Sequence, residues 1–262
     1  HLKYSSALWE DGIAGLSEAE AAMLSRTCER ARLDNGQSIL ELGCGWGSLT
    51  LWMAASFPQS RITAVSNSAS QREYILGQAR DRGLENVEVL TCDVNTLELD
   101  RRFDRVVSVE MFEHVRNYKR LLQRVASWME PDGLLFVHIF CHRTLMYPFE
   151  TEGDGNWMGR HFFTGGLMPA ADTLLWFQDD LAIQRRWMMN GNHYARTARG
   201  WLDRLDADRK AVVQRFENDG DFQGDAARQV QRWRMFFMAC EELFGFDGGH
   251  QWQVAHYRFA RR

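Results

Sequence analysis

The 262-residue sequence has no apolar stretch long enough to span a bilayer, and no secretory leader opens it. Neither a stable membrane anchor nor export is expected. It also lacks any long run of Lys or Arg, and its formal net charge is −4. Phosphate backbones are held by clustered cations, so no nucleic-acid partner is expected. The five cysteines, Cys28, Cys44, Cys92, Cys141 and Cys240, are odd in number, scattered and never spaced C-x-x-C. That argues against disulfides and against a zinc site, so no metal and a reducing cytoplasmic location are expected. Internal repeats and low-complexity tracts are missing too. What the chain does have is 45% hydrophobic and 12% aromatic residues, with ten Trp, enough to bury one substantial core as a single domain. It opens on His1 rather than methionine, which reads as a trimmed start.

Short apolar runs alternate with amphipathic ones along the first half. Ser17-Glu-Ala-Glu20 reads as a capping box that opens a helix to about Arg32. Strands are predicted at 38–42, 61–65, 87–91, 104–109 and 134–140. Helices are predicted at 48–57, 70–82 (closed by Gly83) and 117–130, the last closed by Pro131-Asp132-Gly133. Strands alternating with helices predict an α/β fold with a mostly parallel sheet covered on both faces. Ligands then bind outside the carboxyl ends of the strands, near the topological switch. After Phe140 the rhythm breaks into a Gly-, Trp- and Phe-rich stretch, a strand near 181–189, a helical segment over 195–243 and a last strand at 251–259. The expected division is an amino-terminal arm and helix (1–35), a core (36–140), a cap insertion carrying one sheet strand (141–250) and a closing strand (251–262).

The most informative stretch is Ser38-Ile-Leu-Glu-Leu-Gly-Cys-Gly-Trp-Gly-Ser48. An apolar run ends in an acidic residue, and glycines follow at alternate positions before a helix. A strand that turns so sharply brings its backbone close to a ligand with no Cβ in the way. The E-x-G-x-G-x-G spacing resembles the nucleotide loop of class I methyltransferases, which bind S-adenosylmethionine. On that reading Gly43, Gly45 and Gly47 approach the methionine portion and Glu41 accepts from its amino group. Ser66, Asn67 and Gln71, after the second strand, offer neutral donors and acceptors to the ribose. Asp93 and Val94, after the third, flank the adenine. Taken alone, Asn67 and Ser70 read more readily as caps of the next helix and Asp93 as a turn residue; together with the glycine loop they favour cofactor binding. Glu110, Glu113 and His114 crowd the end of the fourth strand. Methyl transfer chiefly needs positioning, but an amine acceptor must first lose its proton, and a carboxylate–imidazole cluster suits both tasks. Aromatics such as Trp233 and Phe236 are as readily core as pocket, although some of the ten Trp could line a cavity for a flat or cationic substrate.

Taken together, YSSALW (from Tyr4), ELGCGWGS, SNSASQ, FDRVVSVEMFEHVRNY, LLFVHIF, FFTGG and NGNHYART resemble the cyclopropane fatty acid synthase superfamily of class I methyltransferases. Within it, VEMFEHVRNY, RHFFTGGLMP and WRMFFMACEELFGF are more similar to the plant benzylisoquinoline N-methyltransferases, of the coclaurine and pavine type, than to the lipid enzymes. The resemblance implies a Rossmann-like, seven-stranded, mostly parallel sheet with an inserted helical cap. It implies S-adenosylmethionine as cofactor and S-adenosylhomocysteine as product. Tyr4, Ser5, the Gly43–Gly47 loop, the 66–71 segment and Asp93–Val94 would hold the cofactor. Glu110, Glu113 and His114 would be the catalytic acid/base cluster, with Trp233 and Phe236 as the substrate wall. The lipid enzymes use bicarbonate as base. Glu113, His138 and Tyr194 match three of its holders, while Ser6 stands where a cysteine is required. Glu110 replaces their glycine and favours a cationic amine over a bare alkene. The expected activity is thus N-methylation of a small amine. Methylation or cyclopropanation of an unsaturated acyl lipid is the alternative, with bicarbonate left open; a non-catalytic binder is the third reading. The sequence is silent on oligomeric state and leaves a homodimer open.

Overall fold

In the computed structural model the described residues are 1–153 and 155–262. The first half follows the predicted alternation: α1 (Leu16–Ala31), β1 (Ser38–Leu42), α2 (Ser48–Ser56), β2 (Arg61–Ser66), α3 (Ala69–Asp81), β3 (Val87–Thr91), β4 (Phe103–Val109), α4 (Tyr118–Trp128) and β5 (Met129–His142). Then come β6 (Tyr147–Pro148), α5 (Trp157–His161), β7 (Leu167–Met168), β8 (Leu181–Met189), α6 (Asn192–Ala207), α7 (Arg209–Glu217), α8 (Ala226–Gly245) and β9 (Trp252–Arg261). The main sheet has seven strands in the order β3-β2-β1-β4-β5-β9-β8. Neighbours from β3 to β5 are parallel, and β9 runs antiparallel to both β5 and β8. The order reverses between β1 and β4, which opens the crevice at their carboxyl ends.

Alternation along each strand distributes the core. Leu40, Leu42, Val106, Leu135 and Val137 pack beneath α4, while Ile39, Val107 and Phe136 pack against α1 and α2. Both faces are covered, so the strands read as continuous apolar runs. A further core of Phe140, Tyr194, Ala198, Phe244 and Val254 joins α6 and α8 to the sheet. The arm before α1 is tied down: the amides of Ala7 and Leu8 donate to Thr197 Oγ1 (3.1 Å) and to the Ala19 carbonyl (3.0 Å).

Several boundaries differ from the sequence reading. Gly15, not Ser17, caps α1, and the Glu18 carboxylate accepts from the Gly15 amide at 3.3 Å. The S-x-x-E pattern is real, but the same helix start is served by the glutamate three residues after a glycine. α4 stops at Trp128, and β5 already pairs at Met129 with Phe103 before a register shift to Arg105–Leu134. Pro131-Asp132-Gly133 therefore forms an outward bulge in a strand rather than a helix terminus. The helical stretch 195–243 is three helices, with the first starting at Asn192. Among the described residues no helix is long and apolar enough to cross a membrane.

Candidate active site

β1 ends at Leu42 and the chain turns through Gly43, Gly45 and Gly47 into α2. Gly43 and Gly45 have φ of 80° and 52°, a region that side chains rarely adopt. A Cβ on Gly43 would lie 2.7 Å from Met111, one on Gly45 2.6 Å from the Tyr4 hydroxyl, and one on Gly47 2.6 Å from Ile75. The amides of Gly43 and Cys44 both donate to the Val65 carbonyl at 3.0 Å, and that of Gly47 to the Cys44 carbonyl at 2.9 Å. At those positions the loop serves by close approach rather than by presenting free N–H groups.

Over this loop lies a chamber of about 440 Å³. Its walls include Tyr4, Ser5, Glu41, Gly43, Gly45, Ser66, Asn67, Gln71, Asp93, Val94, Glu110 and His114. Of the residues expected to hold the cofactor, Gly47 lines the neighbouring chamber and Ser68, Ala69 and Ser70 line neither, while the others face one space. Glu41 is buried and accepts from the Thr50 hydroxyl at 2.5 Å; burial raises its carboxyl to about 7. Ser66 donates to Gln71 Oε1 at 2.6 Å, and Ser68, rather than Asn67 or Ser70, caps α3. Asp93 Oδ1 receives the Asn95 amide at 2.7 Å in a tight turn. The glycine cradle, the acidic strand end and the polar rim fit an adenosylated amino acid.

A second chamber of about 970 Å³ shares Lys3, Tyr4, Trp46, Glu110 and His114 with the first. Its far wall is aromatic: Phe140, Phe162, Phe163, Tyr194, Trp201, Trp233, Phe236 and Phe237. Phe162 stacks on Phe236 with ring centres 4.4 Å apart and meets Trp233 edge-on at 4.8 Å. Trp233 and Phe236 are therefore pocket residues. Phe162 and Phe163, which as a sequence pass for ordinary loop, are pocket residues too.

Glu110 stands at the junction. It is the residue after β4, held at φ 48°, and its side chain is 11% exposed. Oε1 accepts from the Ser6 amide (3.0 Å) and pairs with His138 Nε2 (3.1 Å); Oε2 accepts from the Tyr194 hydroxyl (2.8 Å). Burial holds its carboxyl above the usual carboxylate range, and the nearby Lys3 ammonium, the Ser6 amide and the Tyr194 hydroxyl offset that rise only in part. His114 lines both chambers and stacks on Phe163 at 4.8 Å. Its imidazole is held below the usual range by burial, against the attraction of Glu110, so it is neutral and able to take a proton.

Two expected site residues lie elsewhere. Glu113 is fully buried and does not line either chamber: Oε1 accepts from the Phe140 amide at 2.8 Å and Oε2 has no partner among the described residues. Burial and the neighbouring Glu110 charge push its carboxyl far up, making it a neutral acid. The cause is the short turn Phe112–His114, which sends Glu113 inward while His114 faces out. His138 is also fully buried, behind Glu110 rather than beside the substrate space. Bicarbonate does not fit here, because the Glu110 carboxylate already occupies the hydrogen-bonding groups of His138 and Tyr194. Sequence reasoning missed Lys3. It is 5% exposed, donates to Ser5 Oγ and the Ser6 carbonyl at 2.5 Å each, and is lowered to about 8 by burial. A lysine in a polar arm carries no local signal of burial.

With this geometry in hand, the chain can be compared with known proteins. The sequence pattern of mycolic acid cyclopropane synthetase matches residues 1–254. The chain belongs to that family. It is 40% identical, over its whole length and 73% of the relative, to (S)-coclaurine N-methyltransferase of Thalictrum flavum subsp. glaucum. It is 29% identical over 90% of its length, and 62% of the relative, to cyclopropane-fatty-acyl-phospholipid synthase of Escherichia coli K12. The crystal structure of coclaurine N-methyltransferase bound to N-methylheliamine and SAH superposes with a TM-score of 0.94 at 39% identity, over 99% of this chain and 76% of that one. A cyclopropane synthase from Mycobacterium tuberculosis, at 20% identity and a TM-score of 0.84, shares the fold.

Proposed function

We propose that this chain is an S-adenosylmethionine-dependent methyltransferase that methylates the nitrogen of a small amine bearing an aromatic ring system. The observation that carries this reading is the Glu110 carboxylate, fixed by three donors in the wall common to the glycine-lined and aromatic chambers. The relatives named for N-methylation, and the neighbour holding N-methylheliamine and SAH, support the same class of acceptor. The cofactor, when bound, supplies an electrophilic methyl on a sulfonium and leaves as a neutral thioether. The remaining work falls to side chains. Trp233, Phe236 and Phe162 enclose the apolar body of the amine and exclude water. Glu110 receives the ammonium by a charge-assisted hydrogen bond and aims its nitrogen toward the cofactor chamber. Neutral His114, beside it, takes the ammonium proton and exposes the lone pair. Glu113 braces the Phe140 backbone from beneath and is not the proton acceptor. Residues 141–250 act as a cap over the acceptor.

A methyl-transfer screen with labelled cofactor tests this, offering cyclic secondary and tertiary aromatic amines alongside vesicles of unsaturated phospholipid. Label is expected in the amines. Label confined to acyl chains would overturn the amine assignment in favour of lipid modification.

A further inference from the structure

Glu110 is the first member of a buried hydrogen-bonded row that crosses the sheet. His138 on β5 lies directly opposite His256 on β9 in the strand register. Glu110 Oε1 meets His138 Nε2 at 3.1 Å; His138 Nδ1 meets His256 Nε2 at 2.9 Å; His256 Nδ1 meets the Arg30 guanidinium at 2.7 Å. Both rings are fully buried. Arg30 comes from the last turn of α1 and is held over the Trp187 ring at 5.0 Å, with a second contact to Met189 Sδ at 3.4 Å.

The direction of the row follows from elementary chemistry. A guanidinium has donors only and does not give up its proton. It therefore makes His256 Nδ1 an acceptor, which places the proton of that neutral ring on Nε2. That proton is donated to His138 Nδ1, so the second ring also carries its proton on Nε2 and donates it to Glu110. Burial drives both imidazoles well below their usual range, consistent with two neutral rings. While Glu110 is ionised its carboxylate, an acceptor only, favours the same order; Arg30 imposes it whatever the charge on Glu110. With an apolar residue at position 30, a protonated Glu110 would let both rings reverse and turn the His138 Nε2 lone pair toward the carboxyl.

We infer that Arg30 and His256 are positioning residues for the methyl-transfer site, fixing through the tautomer of His138 a permanent donor to the carboxylate that receives the amine. They line neither chamber, and in the sequence only the closing Trp252–His256 run, WQVAH, includes one of them, with no role attached. Their role rests on the function proposed for Glu110, so the test has one arm that needs no activity.

In that arm, nitrogen-15 NMR of the imidazoles in the intact protein reads the tautomers. Wild type is expected to show both His138 and His256 protonated at Nε2. Glu110→Gln, whose amide can donate or accept, is expected to keep that pattern while Arg30 is present, and Glu110→Gln/Arg30→Met to lose it in both rings. Protonation at Nδ1 of His138 in wild type, or an unchanged pattern in the double variant, would overturn the inference, whatever acceptor the enzyme prefers. In the kinetic arm His256→Phe keeps ring volume and removes both hydrogen bonds, whereas the amide of His256→Gln offers an acceptor and a donor at similar separation. His256→Phe is expected to lower kcat/KM for the amine by about tenfold with S-adenosylhomocysteine affinity maintained, and His256→Gln to restore most of it. In a Glu110→Gln background the His256→Phe loss is expected to vanish, since the group it serves is gone. Equal loss in the Phe and Gln variants, or full additivity with Glu110→Gln, would reduce His256 to ordinary packing. If His256→Phe does not fold, Arg30→Met enters the same cycle in its place. Failure of every amine to accept methyl would sink the proposed function and leave the NMR arm standing.

Discussion

At the scale of single residues, buried acids make measurable demands. The Glu41 carboxyl ionises at 4.5 when exposed and at about 7 in the folded chain. Between those values the folded state holds a proton that the unfolded state has released. Stability therefore falls as pH rises through that window and levels off above it. At about 1.4 kcal/mol per pH unit, Glu41→Gln should gain about 3 kcal/mol over wild type between about pH 4 and about pH 8. Denaturant midpoints at the two pH values check it; a constant difference would refute the assignment. Gly45→Ala would carry a strained backbone costing about 1–2 kcal/mol and press on the Tyr4 ring. Its expected effect is a tenfold or greater loss of S-adenosylhomocysteine affinity by calorimetry, with the aromatic chamber still able to bind amine. Site legibility was uneven at this scale. Glu110 and His114 could be found because they follow a Val-rich strand, and most residues expected to hold the cofactor because they sit at or just past a strand end; Tyr4 and Ser5, in the arm, came only from the family resemblance. Whether Glu113 or His114 faces the cavity depends on one turn of three residues, and the burial of His138 and Lys3 depends on what covers them. Neither is written in local spacing.

At the scale of elements, β1 to β4 and β8 were legible almost to the residue, since their apolar runs stand between clear turns, whereas β5 starts five residues before its expected beginning and the two-residue strands β6 and β7 carry no such run. Helix ends were not. The Glu18–Gly15 contact and the bulge at Pro131–Gly133 are each local patterns that admit two readings, and the fold chooses by pairing Met129 with Phe103. α8 shows the same ambiguity on a larger stage, because its aromatics at helical spacing suit a core as well as a pocket. Here they do both: Phe244 stacks on Tyr194 at 4.2 Å, while Trp233 and Phe236 face the large chamber. Removing the pocket pair should separate these roles. Trp233→Ala and Phe236→Ala are each expected to raise the amine KM about 10- to 100-fold, from the loss of about 1.5–3 kcal/mol of apolar contact. Cofactor affinity should hold. A fall in cofactor affinity matching the rise in KM would place these rings in the wrong chamber.

At the scale of the whole molecule, the glycine-lined chamber draws walls from the arm, α1, β1, β2, the loop after β3 and β4 at once, so a ligand there ties together parts distant in sequence. S-adenosylhomocysteine at about a hundred times its Kd should add about 2.7 kcal/mol, raising the unfolding temperature by roughly 5–10 °C. Calorimetric scans at graded ligand concentrations would show it, and a flat response would mean the chamber does not bind this ligand. The arm also connects its two neighbours through one bond, the Ser6 amide on Glu110. Any excursion that uncovers the glycine loop by lifting Leu2 to Ser6 takes that donor away from the acid at the same instant. One short segment thus serves as a wall for the first chamber and a brace for the acid of the second, and a change in either function would be felt by its companion.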